Sequence, residues 1–519
     1  MSTLGKVQKR ETQILKIALF ATGCAGIIAE FVLSTLATYL SGNAVFQWTM
    51  VMSFMLFAMG VGSRFSRIFQ KNLLECFIIT EFVLSIACAT SAIIAYGLAA
   101  FIQPINLIIY VQGWIIGFLI GLEIPLVTRI NESYENLRIN ISSVMEKDYY
   151  GSLLGGIIFA FIALPYLGLT YTPIILGSIN FAVATLVLWR FMSWIKYKKA
   201  FSILWCGTFC FFIGLLIFAK PIIQFGEQSK YKDKIIFSEQ TVYQKIVITQ
   251  WRKYNWLFLN GQVQFSTYDE EKYHEPLVHP AMNLSAYPKE ILILGGGDGV
   301  AVREVLKHEP VESITLVDLD PVMIHLGQTH PVLTNINQNS LNNPKVKIIH
   351  QDAMTYLEKN DTRFGVIIID LPDPDTIDLM HVYSLDFYQL IEKHLMRSGV
   401  MITQATSPYF SKKAFLCILK TIQAADFVTL PYHNHIPTMG EWGFVLGMRK
   451  IDITSEKLKE RAEQLKFSDI SCRFINNNGM LSMIYFGKGI LDQINTVKLN
   501  TQLNPVLHQY YLSGNWGVY

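Results

Sequence analysis

Residues 291–303, "ILILGGGDGVAVR", decide the fold. Four branched apolar residues run into a glycine turn, and a helical stretch follows. Such a strand–turn–helix leaves free backbone N–H groups pointing at a ligand, usually an anion. Here Asp298 sits among the glycines, where it repels a phosphate or a substrate carboxylate. The spacing is G-x-G-x-G over Gly295, Gly297 and Gly299. That pattern suits an adenosine-containing sulfonium donor better than a dinucleotide.

The segments downstream repeat the theme. "SITLVDLD" (313–320), "KVKIIHQD" (345–352), "GVIIIDLPD" (365–373) and "GVMITQAT" (399–406) are short runs rich in branched residues, separated by helical stretches. Runs of this kind mark parallel strands buried on both faces. They predict a doubly wound α/β sheet that binds ligands at the carboxyl ends of its strands. Asp318 closes the second strand, at about the distance from the turn usual for a ribose-binding carboxylate. Asp352 follows the third and Asp370 the fourth, with Asp373 three residues on. Asp298, Asp370 and Asp373 therefore predict a rim that attracts a cation and removes a proton from an amine.

Upstream, "KIVITQW" (245–251) and "WLFLNGQVQF" (256–265) read as a small β-hairpin sheet. Before Lys220 the chain changes character. Half of all residues are hydrophobic and 16% charged, below the roughly 25% usual for soluble domains, and the apolar excess is concentrated here. Apolar runs near 14–40, 44–63, 73–99, 104–126, 151–168, 171–189 and 202–219 give about seven spans. The basic N-terminus has no small-residue cleavage signal, so it predicts a retained anchor. Gly117 and Gly121, and Gly151 and Gly155, are spaced for close helix approach.

Three boundaries result: a membrane domain at 1–219, a β-hairpin subdomain at 220–285 and a Rossmann-like domain at 286–519. Lys and Arg cluster in alternate loops, which puts the N-terminus inside. Glu30, Glu81 and Glu123 lie within spans that hold no Lys or Arg. Such acids face either a cation-accessible chamber or one another as neutral groups. The seven cysteines show no disulfide framework or metal spacing, and a net charge of +3 does not argue for nucleic acid.

"VYQKIVI", "LNGQVQFSTYDEEKYHEPLVHPAM", "ILILGGGDGVAVREVLKH", "TLVDLDPVMI", "QDA", "IIIDLPDPD", "VYSLDFY" and "GEWGFVLG" occur in the order and spacing of one family. The chain from about Val242 to Gly447 resembles the spermidine synthases, or polyamine aminopropyltransferases, and the whole resembles their membrane-bound branch. The resemblance implies transfer of an aminopropyl group from decarboxylated S-adenosylmethionine, a co-substrate, to putrescine. It requires no metal or other cofactor. By resemblance, Gln244, Gly295, Gly297, Asp318, Asp352 and Ala353 hold the donor and the methylthioadenosine product. Tyr273, His274, Asp298 and Asp373 hold the polyamine, and Asp370 is the catalytic base.

Leu371 and Pro372 replace small polar residues of the family, and "IPTMGEWGF" lacks a usual tyrosine, for which Trp442 offers another aromatic wall. These departures border the acceptor. The resemblance also implies a homodimer, and the apolar half implies the lipid bilayer of the inner cell membrane as a partner. Seven spans with the N-terminus inside put the catalytic domain outside, yet donor and diamine are cytoplasmic metabolites. The expectation is a cytoplasmic domain, with 104–126 or 151–168 failing to cross. Two rival functions remain: an ordinary methyltransferase, opposed by Asp298 and the Asp370/Asp373 pair, and a membrane polyamine sensor or transporter.

Overall fold

A computed structural model describes residues 3–41, 44–99, 105–132 and 136–516. The side chains of Lys6, Lys9 and Arg10, on which part of the charge pattern rests, lie outside the described residues. The chain divides into two compact units, Met1–Lys232 and Asp233–Tyr519.

The first unit is helical: α1 (Thr3–Ser41), α2 (Ala44–Phe65), α3 (Leu73–Ala99), α4 (Ile105–Asn131), α5 (Leu137–Ile158), α6 (Gly168–Phe191) and α7 (Lys198–Gln228). The expected boundary at 219 falls inside α7, because Ile222, Ile223 and Phe225 continue the apolar run past Lys220. Among the described residues, six helical runs are long and apolar enough to cross a membrane. One of them, Leu137–Phe191, is 55 residues long, more than twice the roughly 20 that a bilayer requires. It folds back on itself. Phe159–Leu167 winds as a π-helix and Gly168 breaks it at φ +60°. Thr172 Oγ1 thereby reaches Ala163 O at 3.2 Å. The expected runs 151–168 and 171–189 are thus the two limbs of a hairpin.

Glycines set the helix contacts. A Cβ on Gly117 or Gly121 would lie 2.6 or 2.1 Å from the α2 carbonyls of Met55 and Met59, and one on Gly151 2.1 Å from Phe20 O on α1. Outward-facing Leu56, Phe57, Leu107, Leu153, Phe161, Ile203 and Phe218 are exposed, as lipid-facing side chains are.

The basic turns share one end of this unit. Arg190 pairs with Glu11 at 3.2 Å, Arg129 donates to Ser66 O at 3.1 Å, and Lys196 N donates to Glu75 at 2.8 Å. At the other end Tyr39, near the close of α1, bonds Glu227, near the close of α7, at 3.2 Å.

The second unit opens with a four-stranded antiparallel sheet, β1 (Lys234–Gln240), β2 (Lys245–Trp251), β3 (Tyr254–Leu259) and β4 (Gln262–Ser266). Next come α8 (Glu271–Leu284), β5 (Glu290–Gly295), α9 (Val300–Leu306), β6 (Ser313–Asp318), α10 (Pro321–Thr329), α11 (Pro331–Asn337), β7 (Val346–His350), α12 (Ala353–Lys359) and β8 (Phe364–Asp370). Then follow α13 (Leu385–His394), β9 (Leu395–Gln404), α14 (Lys412–Ala424), β10 (Phe427–Ile436) and β11 (Gly440–Arg449).

The larger sheet has the order β10-β11-β9-β8-β5-β6-β7, parallel from β9 to β7, with β11 and β10 antiparallel at one edge. Ile291–Leu294 are fully buried and alternate between the two faces, as the apolar run predicts. The strand order reverses between β5 and β8. Sheets of this class bind ligands at such a point.

The expected boundary at 285 also moves. Tyr273, Leu277, Val278 and Ala281 of α8 pack into the core of the larger sheet, so α8 belongs to the α/β layer. Two prolines inside α8, Pro276 and Pro280, remove backbone N–H groups and orphan the carbonyls of Lys272 and Pro276. Side chains of β10 replace them: Asn434 donates to Lys272 O at 2.7 Å and Tyr432 to Pro276 O at 2.6 Å. These bonds fix the helix that carries Tyr273 and His274.

Candidate active site

Register brings the centre together. Gly295, the last residue of β5, is the Cα partner of Asp370, the last of β8. A Cβ on Gly295 would lie 2.2 Å from Asp370 O, so the turn closes on the carboxylate only with glycine there. Gly295, at φ +81°, also adopts a backbone that side-chain-bearing residues avoid. Gly297 N donates to Asp318 Oδ2 at 3.1 Å, and a Cβ on Gly297 would lie 2.7 Å from the same oxygen. The glycine turn therefore rests between two strand-end carboxylates.

Asp370 has two unlike oxygens. Oδ1 accepts the Tyr273 hydroxyl at 2.7 Å, while Oδ2 faces Gly296 of the turn. Burial raises the Asp370 pKa to about 6; the nearby Asp298 charge raises it too, whereas His274 and Tyr273 oppose the rise. A carboxyl so poised exchanges its proton near neutrality. Asp373 likewise has one oxygen held, Oδ2 by the Tyr511 hydroxyl at 3.0 Å, while Oδ1 is buried without a hydrogen-bond partner. Burial lifts its pKa to about 7.

Asp298 is nearly buried and its Oδ1 accepts from Val300 N at 2.8 Å, capping α9. Burial raises its pKa, which His274 counters. His274 Nδ1 contacts Glu270 O at 3.0 Å and Glu270 Oε2 at 3.1 Å. Burial lowers the His274 pKa, but the Glu270 bond and the charges of Glu270, Asp298 and Asp370 raise it overall. Behind it, Arg303 donates to both oxygens of Glu270, at 3.0 and 2.9 Å, and to Glu304 at 2.7 Å. Arg473 also pairs with Glu270. The one cation of the opening motif thus points away from the aspartates into a buried ion network.

At the end of β6, Asp318 Oδ1 accepts from Asp320 N at 2.9 Å, and burial raises the Asp318 pKa to about 6. Asp352 caps α12 through Thr355 N at 2.8 Å, and Ala353 starts that helix. Asp352 Oδ2 contacts His381 Nε2 at 2.9 Å, while His381 Nδ1 contacts Asp378 O at 2.6 Å. The hydrogen bond to Asp352, aided by the Asp378 carbonyl, raises the His381 pKa. The His381 bond is the main reason the Asp352 pKa falls to about 2. A cavity of about 390 Å³ opens here between Asp352, Thr355, Ile377 and His381.

Two expected residues are placed differently. The Gln244 amide donates to Asp320 Oδ2 at 3.0 Å, beside Thr241 Oγ1 at 2.9 Å, and so braces the strand end next to Asp318. Trp442 packs in the apolar cluster with Tyr273 and Phe444, its indole N–H buried without a partner, and no contact joins it to the carboxylates among the described residues. Tyr273 and His274 lie on a helix rather than in the hairpin.

The aromatic group that bonds Asp373 is instead Tyr511, on a short C-terminal helix, Leu507–Leu512. The substituted loop is also braced: Tyr383 donates to Pro372 O at 2.9 Å and Gln404 to Leu371 O at 2.9 Å. Sequence reading missed Tyr511, Tyr383, Gln404 and His381. Two of them lie in segments the sequence singles out, Tyr383 in "VYSLDFY" and Gln404 in "GVMITQAT".

A spermine/spermidine synthase domain matches residues 270–458. The chain is 42% identical over 500 residues to polyamine aminopropyltransferase 2 of Aquifex aeolicus, covering 96% of this chain and 98% of that one. The chain belongs to the polyamine aminopropyltransferase family. It is also 36% identical to the polyamine aminopropyltransferase of Oceanobacillus iheyensis, with 97% of each chain covered. A crystal structure of a spermidine synthase in complex with the transition-state analogue AdoDATO aligns at a TM-score of 0.46 and 25% identity, over 51% of this chain and 89% of that one.

Proposed function

We propose that the second unit transfers the aminopropyl group of decarboxylated S-adenosylmethionine to putrescine, giving spermidine and methylthioadenosine. One observation supports this reading: two neighbouring carboxylates, Asp370 and Asp373, each have one oxygen held by a tyrosine, and Asp373 Oδ1 is buried without a hydrogen-bond partner. A methyltransferase acting on ordinary S-adenosylmethionine has no use for three carboxylates at its glycine turn.

The chemistry follows. An aminium has no lone pair, so Asp370 takes one proton from it. The freed amine attacks the aminopropyl carbon next to sulfur, a C–N bond forms, and the C–S pair leaves on sulfur as a neutral thioether. Asp373 holds the far ammonium and so aims the attacking nitrogen, while His274 and Asp298 act beside Asp370. Gly295, Gly297, Asp318, Asp352 and Ala353 line the donor's nucleoside, with Gln244 supporting them through Asp320. No step calls for a metal. The test is release of methylthioadenosine by the purified full-length protein given decarboxylated donor and each of a panel of diamines. Binding without release would make the protein a sensor.

For the helical unit we infer a multi-pass position in the cell membrane with the basic turns cytoplasmic. Among the described residues no run is short: α4 is continuous, and α5 with its π-helical extension forms a full limb. Seven limbs therefore deliver the chain to the face opposite the basic turns.

A further inference from the structure

Inside the helical unit, Glu81 on α3 is fully buried and Glu123 on α4 is 2% exposed. The two interact electrostatically, and Cys88, further along α3, lies in the field of both. From α6, fully buried Asn180 directs Nδ2 to Cys88 Sγ at 3.9 Å. Gly177, one turn earlier, permits this approach: its Cβ would lie 2.4 Å from Ser85 O. Thr22 on α1 hydrogen-bonds Glu123, and Asp148 on α5 adds another negative field there.

Both oxygens of Glu81, Oε1 of Glu123 and Oδ1 of Asn180 have no hydrogen-bond partner. Four buried acceptor oxygens around Cys88, on α3, α4 and α6, thus lack a donor among the described residues. Buried carboxylates without a cation are among the most costly arrangements in an apolar interior. A proton shared between the acids supplies one donor. A primary ammonium supplies three donors and the compensating charge.

We propose that Glu81, Glu123 and Asn180 form a second polyamine site, one that receives a primary ammonium group within the helical unit. The choice of amine rests on the proposed transferase reaction, whereas the surplus of acceptors does not. Glu30 is buried on α1, and no contact joins it to this pair among the described residues.

The test is equilibrium dialysis of labelled spermidine against the purified full-length protein. The parent takes up two equivalents per chain. The Glu81→Gln/Glu123→Gln double variant takes up one and releases methylthioadenosine at the parent rate. Two equivalents in the double variant, or one in the parent, would overturn the proposal. If the double variant does not fold, modification of the parent by dicyclohexylcarbodiimide decides: spermidine should protect Glu81 and Glu123, and unprotected labelling contradicts the site. A parent that binds two equivalents without releasing methylthioadenosine would count against the transferase reading alone.

Discussion

Tyr273→Phe isolates the side-chain hydrogen bond that tunes the base. The substitution keeps the ring, which packs at 6% exposure against Phe444, and removes only the hydroxyl 2.7 Å from Asp370 Oδ1. A hydrogen bond to a charged group contributes about 1.5–3 kcal/mol. One pKa unit corresponds to about 1.4 kcal/mol, so losing a bond that favours the carboxylate raises the Asp370 pKa by about one to two units. From about 6 in the parent it moves to roughly 7–8.

The sign follows from the role. A base must be deprotonated, so activity rises with pH through its pKa, and the variant needs a higher pH to reach its plateau. The assay is methylthioadenosine release at limiting diamine from pH 5 to 9, since kcat/KM reports groups of the free enzyme. Asp373 also titrates near 7, so the limb is shared and the informative quantity is the displacement between parent and variant. An acidic limb that does not move, in a correctly folded variant, would refute the claim that Tyr273 tunes the base.

Asp298→Asn retains an oxygen for Val300 N, so it removes charge while preserving the cap. Calorimetry should show ordinary S-adenosylmethionine gaining on the decarboxylated donor, because a like-charge contact of several kcal/mol is relieved; an unchanged affinity ratio would remove Asp298 as the discriminator. Tyr511→Phe frees the held oxygen of Asp373, and loss of about 1.4 kcal/mol raises the diamine KM roughly tenfold with donor KM unchanged. Equal rises in both would mean the C-terminal helix acts only structurally. A reporter fused after Tyr519 should be active only outside the cytoplasm, as seven limbs require, and cytoplasmic activity would show that one limb does not cross.

The sheet was legible because buried parallel strands are short and uniformly branched, as in 291–294 and 366–369. The aspartates were legible because a strand end is a position that a sequence marks. What escaped depends on contacts remote in sequence. α8 reads poorly as a helix since Pro276 and Pro280 contradict it, and only Asn434 and Tyr432, over 150 residues away, make it tenable. Tyr511 lies 138 residues from Asp373, in a region with no motif. Gln244 and Trp442 were placed by pattern, but their partners, Asp320 and the Tyr273 cluster, were set by packing. The hairpin at Gly168 was visible as two apolar runs, while its π-helical form was not.

Asp370→Asn tests the central claim most directly. Asn keeps the shape at the end of β8 but cannot accept a proton from an aminium. Donor binding by calorimetry should stay near the parent value while methylthioadenosine release falls by about 10²–10⁴-fold, the usual loss for a positioned general base. Release at the parent rate from a correctly folded variant would contradict the assignment of Asp370 as the base.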